Sequence, residues 1–153
     1  MAPATRIEVV TIIQAPIERV FDAARDVDLH LRTMRSTGER AVAGRTSGLI
    51  ELGESVTWRA RHFGIRQHFT SRITRFERPL YFQDTMERGA FASFVHDHFF
   101  EVLEGGTRMT DVVVFLSPLG VLGRIAGHWI LRRYMTALIR ERAAGIKEAV
   151  ESA

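Results

Sequence analysis

Two histidines stand two residues apart in the run His96-Asp97-His98-Phe99-Phe100, and two acids, Asp84 and Asp111, lie at similar separations on either side. Residues i and i+2 of a strand point to one face, so both imidazoles share a side. An imidazole oriented by a carboxylate is a general base near neutral pH, the usual device for enolising or dehydrating a carbonyl compound. His98 with Asp111 is the leading pair, and His96 stands beside them. Two imidazoles and a carboxylate are also metal-ligand types, but a third convergent histidine is missing from the pattern, so no metal is assigned. A buried hydrogen-bond network with no chemistry is the plainer alternative. The absence of cysteine excludes a thiolate zinc site, a disulfide scaffold and a cysteine nucleophile. No phosphate loop, no Gly-x-Ser-x-Gly and no His-Glu-x-x-His occurs, and no cofactor is assigned.

Hairpins must position these groups. A turn at Gly105-Gly106 sets Phe100 opposite Asp111 and His98 opposite Val113, which makes Asp111 the diagonal neighbour of His98. Phe94, His96, His98 and Phe100 then share a face with Met109, Asp111, Val113 and Phe115. The turn at Gly89 leaves two registers open. A three-residue loop, Arg88-Gly89-Ala90, adds Phe82, Asp84 and Met86 to that face; a two-residue loop adds Tyr81, Gln83 and Thr85 instead.

The remaining elements follow from periodicity. Arg6 to Ile13 reads as a strand rich in Val and Ile. Pro16 opens a helix with Ile17, Val20, Phe21 and Ala24 at helical spacing, and Asp26 caps a second one running from Val27 to about Met34. Arg35 to Ser47 is polar and reads as loop, with a strand starting near its end left open, and Leu49 to Leu52 reads as a short strand after it. Glu54 to Phe63 alternates, placing Val56, Trp58, Ala60 and His62 on one side. Phe63-Gly64 turns into Ile65 to Phe76, whose inner face continues as Gln67, Phe69, Ser71 and Ile73. Arg59, Arg61, Arg66, His68 and Arg72 fall on the outer face, which reads as a solvated surface. Ser117 and Pro118 start a helix that runs to Val150, roughly 50 Å long. Val112 to Leu131 imitates a membrane span, but Ser117-Pro118 splits it and Arg124 and His128 fall inside it.

The chain of 153 residues is 46% apolar and 25% charged, which suits a single domain with a core over residues 1–153. Twenty arginines and one lysine face eighteen acids, so the net charge is only +3 although the pI is about 10.1. The arginines are scattered, with no basic stripe of the kind that grips nucleic acid, so none is expected as a partner. Met1 to Arg6 leads straight into alternating sequence, which reads as no signal peptide, and the lack of cysteine fits a reducing cytoplasm.

A curved sheet with an apolar inner face needs a cover, and only the long C-terminal helix is large enough. This α+β order, with two short helices after the first of about seven antiparallel strands, resembles the helix-grip fold of the START and birch-pollen-allergen superfamily (SRPBCC). The residues that carry the resemblance are Ala15-Pro16-Ile17-Glu18-Arg19-Val20-Phe21, His96-Asp97-His98-Phe99-Phe100-Glu101, Gly105-Gly106-Thr107-Arg108-Met109-Thr110-Asp111 and Pro118-Leu119-Gly120. They look like its bacterial polyketide cyclase, dehydrase and lipid-transport members. The resemblance implies a cavity between sheet and helix for a hydrophobic small molecule. Trp58, Phe69, Phe94, Phe100, Met109, Phe115 and Trp129 would form its walls, and His62, Asp84, His96 and His98 would orient a polar end. A cyclase or dehydrase acting through the His/Asp group of that cavity is the alternative. A third reading makes Pro118 to Leu131 a docking or membrane-surface patch, and monomer or homodimer is left open.

Overall fold

The computed structural model describes residues 4–117 and 126–153. Strand β1 (Thr5–Ile13) is followed by helices α1 (Ile17–Ala24) and α2 (Val27–Thr33). Six strands come next: β2 (Arg40–Gly44), β3 (Ser55–His62), β4 (Ile65–Glu77), β5 (Tyr81–Arg88), β6 (Ser93–Leu103) and β7 (Gly106–Leu116). Helix α3 (Ala126–Glu151) ends the chain. The seven strands form one antiparallel sheet in the order β1-β7-β6-β5-β4-β3-β2. This is the helix-grip arrangement the element order implied.

Helix α1 buries Ile17, Val20, Phe21 and Ala24, the four residues at helical spacing. The ring of Phe21 meets Phe76, Phe82 and Phe100 edge-on at 5.1–5.3 Å, locking α1 onto the sheet. Asp26 caps α2 by accepting a hydrogen bond from the Leu29 amide at 3.1 Å. Helix α3 turns Met135, Leu138, Ile139, Ala143, Ile146 and Val150 inward. The expected start of this helix at Pro118, and the proposed patch from Pro118 up to residue 125, lie outside the described residues. Among the described residues, no helix is long and apolar enough to cross a membrane.

Three local expectations are corrected. Leu49 to Leu52 is not a strand; only Leu49 makes an isolated bridge, to Asp26. The strand lies instead at Arg40–Gly44, within the stretch read as loop with a strand start left open near its end. It is an exposed sheet edge, so no buried face imposes an apolar alternation on it. The last turn is Glu104-Gly105 rather than Gly105-Gly106, since Leu103 pairs with Gly106. Each glycine has its own task. Gly105 turns at φ 79°, whereas a Cβ on Gly106 would sit 2.4 Å from the Ile13 carbonyl oxygen of the neighbouring strand. The register therefore slips by two, which preserves the faces and puts His98 directly opposite Asp111 and Phe100 opposite Met109. Of the two registers left open at Gly89, the chain takes the parity that turns Phe82 and Asp84 inward, with Asp84 opposite His96.

A close approach fixes α3 over α2. A Cβ on Gly145 would lie 2.3 Å from Cγ2 of Thr33 and 2.6 Å from its Cβ. Gly145→Ala is therefore expected to destabilise the fold by about 1–3 kcal/mol through overpacking, despite alanine's better helix propensity. Urea denaturation measures this; an unchanged midpoint would mean that α2 gives way freely.

Candidate functional site

A cavity of about 350 Å³ lies between the concave sheet face and α3. Alternation brings Val56, Trp58, Ala60 and His62 of β3 to its wall, and Gln67, Phe69, Ser71 and Ile73 of β4 beside them. Of the residues expected to line it, Trp58, His62, Phe69, Asp84, Phe94, His96 and His98 do so. Four do not. Phe100 and Met109 are buried core, Phe100 against the ring of Phe21. Phe115 is sealed behind Phe91 and Phe94, with ring centroids 5.1 and 6.2 Å away. Trp129 is 66% exposed on the first turns of α3 and takes no part in the wall. Strand parity places a side chain on the inner face; it does not say where a helix already fills that face.

At the inner end, the histidines and acids form one network. Nε2 of His98 meets Oδ2 of Asp84 at 2.6 Å, and Nε2 of His96 meets Oδ1 of Asp111 at 2.9 Å. The same Asp111 oxygen faces Nδ1 of His98 at 3.4 Å and accepts from Nη1 of Arg142 at 3.3 Å. Nη2 of Arg142 donates to the Ala24 carbonyl at 2.5 Å. The His98 ring is sandwiched between Phe82 at 4.0 Å and His96 at 3.7 Å. Asp111 has no exposed surface and His98 has 2%. Among the described residues, His98 Nδ1 and Asp111 Oδ2 are buried without a hydrogen-bond partner.

The electrostatics follow from burial and pairing. Burial acts to raise the Asp111 carboxyl, but the hydrogen bond from His96, the close imidazole of His98 and the charge of Arg142 outweigh it, holding it well below the usual carboxylate range. Asp84 is likewise held low against its burial by His98, His96 and Arg142. His96 is lowered too, but in a base that direction disfavours the charged form. Burial and the neighbouring His98 depress it below the ordinary imidazole value, despite Asp111 and Asp84.

A pH dependence of stability follows with a definite sign. A carboxyl depressed in the folded chain contributes stability above its unfolded pKa and loses it as pH falls towards the folded value. His96, and His62, which burial also lowers, act in the same direction from a higher start. Below about pH 6.5 the unfolded chain takes up protons that these two refuse. Stability should thus decline below about pH 6.5 and fall more steeply below about pH 4, where Asp84, Asp111 and Glu39 join. Urea unfolding at a series of pH values reads this directly. A rise in stability between pH 7 and 5 would show these imidazoles to be charged in the fold.

Asp84, His96 and His98 each bring a ligand-type atom within 4.8 Å of the others. Their geometry does not suit one ion. A bound metal lies in the plane of an imidazole, on the nitrogen lone pair, about 2.0–2.1 Å away. The two rings are stacked, with 22° between their planes, so both lone pairs cannot converge on one point unless a ring rotates.

A second polar group stands towards the β3–β4 hairpin. Tyr134 Oη and His62 Nδ1 are 2.7 Å apart, and His30 Nε2 meets Glu39 Oε1 at 3.0 Å while its ring packs on Trp58. Sequence reasoning missed Arg142, His30, Glu39 and Tyr134. Arg142 had a signal, a full charge on the apolar stripe between Ile139 and Ile146. Glu39 had none, lying in a polar stretch whose fold is set by tertiary contacts.

Solved structures share the fold at low identity. The protein TTHA0849 of Thermus thermophilus superposes with a TM-score of 0.77 at 19% identity, covering 98% of each chain. A START superfamily protein from Mycobacterium smegmatis gives 0.73 at 11%, covering 96% of this chain and 97% of its own. The major latex-like protein 151 of Panax ginseng gives 0.61 at 13%, covering 92% and 96%. No curated protein sequence matches significantly. Residues 4–151 match the family described as polyketide cyclase / dehydrase and lipid transport. With that match spanning the sheet, the cavity and the closing helix, the chain belongs to this family.

Proposed function

We propose that the protein binds a hydrophobic small molecule, lipid-like, polyketide-like or aromatic, in the cavity between sheet and α3. The observation that carries this is the cavity itself, a space of about 350 Å³ walled by Trp58, Phe69, Phe94 and Leu138, with polar groups gathered at one end. That volume lies in the ordinary range for small-molecule sites, and a mostly apolar wall with a few convergent polar groups is their usual chemistry. Asp84 and His96 would orient the ligand's polar end. Native mass spectrometry tests the reading. The protein is expected to carry, or to take up from a panel of hydrophobic compounds, one ligand per chain that is lost on denaturation. A bare mass both before and after incubation counts against it.

One observation bears on the alternative, acid–base catalysis in the same cavity. Nε2 of His98 is held by Asp84, and its Nδ1, buried without a hydrogen-bond partner, faces Asp111 at 3.4 Å, so neither nitrogen is turned towards a substrate. His96 hydrogen-bonds through Nε2, and among the described residues its Nδ1 has no partner. In an enzyme of this kind the base would be His96, held by Asp111, with His98 positioning it. Turnover of a hydrophobic carbonyl compound that persists in His96→Gln would remove this alternative.

A further inference from the structure

The charges on the cavity wall are already committed, and their balance is negative. Asp26, Glu39 and Asp84 line it against Arg25 and Arg142, and Asp111 stands directly behind the two histidines. Arg25 is held by Asp22 and Glu51, each at 2.9 Å, and by the Ile50 carbonyl. Arg142 is held by Asp111 and the Ala24 carbonyl. Glu39 takes His30 at 3.0 Å and the Thr37 hydroxyl at 3.1 Å. In the inner cluster, the two carboxylates Asp84 and Asp111 face the single guanidinium of Arg142. A proton on one imidazole would bring that cluster only to neutrality.

An anionic head entering this cavity would therefore give up its hydration and meet no uncommitted cation among the described residues. A neutral head faces no such opposition: a hydroxyl can donate to a carboxylate oxygen or an imidazole nitrogen, and a ketone or ester, which can only accept, brings no charge for the acids to repel. We infer that the cavity selects uncharged amphiphiles, an apolar body with a neutral hydrogen-bonding head, and rejects fatty acids and other anionic amphiphiles of the same shape. This inference rests on the cavity being a ligand site, and its test separates the two.

The intact protein is titrated with the neutral dye Nile red, which is then displaced by three compounds sharing one chain length: dodecan-1-ol, methyl dodecanoate and dodecanoate, near pH 7.5 and below their aggregation limits. The alcohol and the ester are expected to displace the dye at concentrations at least tenfold lower than the carboxylate. In Asp84→Asn, which removes a lining negative charge, the gap should narrow several-fold. The wild-type comparison decides the matter alone if that variant does not fold. Equal displacement by all three, or stronger displacement by dodecanoate, overturns the selectivity while leaving the cavity as a ligand site. Failure of the protein to take up the dye or any of the three overturns both.

Discussion

Arg142→Leu is expected to lower the free energy of unfolding by about 3–5 kcal/mol, the usual consequence of leaving a buried charge without its partner. Asp111 has no exposed surface, and Arg142 is the one fully charged cation it contacts among the described residues. Removing the guanidinium also strips the Ala24 carbonyl of a buried donor. Adding Asp111→Asn to Arg142→Leu should recover part of the loss, because the uncompensated charge goes with it. The recovery is the signature of coupling between the two sites, and a double-mutant cycle in urea isolates it. A cost below about 1 kcal/mol for the single change would mean that the histidines alone sustain Asp111.

This charged network is the part of the site that sequence could only half describe. Pattern put His96, His98, Asp84 and Asp111 on one face because a strand repeats every two residues, and that parity survives a register slip of two. The slip decided the partners. With the turn at Glu104-Gly105, His98 opposes Asp111 directly, yet the shorter contact of Asp111 is to His96, and His98 turns its Nε2 to Asp84. Side-chain rotation within a face has no periodic signal. Helix α1 and the cap of α2 at Asp26 were legible, since spacing and capping are local. Strand β2 was legible only as an option left open near the end of a polar stretch, because an exposed edge carries no buried pattern. Phe100, Met109 and Phe115 point inward as parity requires, but core packing, not open cavity, lies in front of them. How closely a helix approaches a sheet is set by tertiary packing.

The second large effect concerns ligand uptake. Ala60 is 6% exposed on β3, and its methyl group lines the cavity between Trp58 and His62. A phenylalanine there projects its ring into the open space, where the fold can receive it at a cost no greater than the usual overpacking penalty of about 1–3 kcal/mol. The circular dichroism spectrum should be unchanged while the cavity is occupied by the protein itself. Affinity for a hydrophobic ligand is expected to fall at least a hundredfold, roughly 2.7 kcal/mol. Trp58→Ala acts differently, enlarging the cavity and removing an apolar contact, so it should weaken binding without abolishing it.

The most direct measurement is the paired titration of wild type and Ala60→Phe with Nile red, with folding of both verified by urea denaturation. A cavity that holds a hydrophobic small molecule predicts saturable one-to-one binding to the wild type and its loss in the blocked variant. Equal binding by the two folded proteins would place the dye elsewhere on the molecule and contradict the central claim.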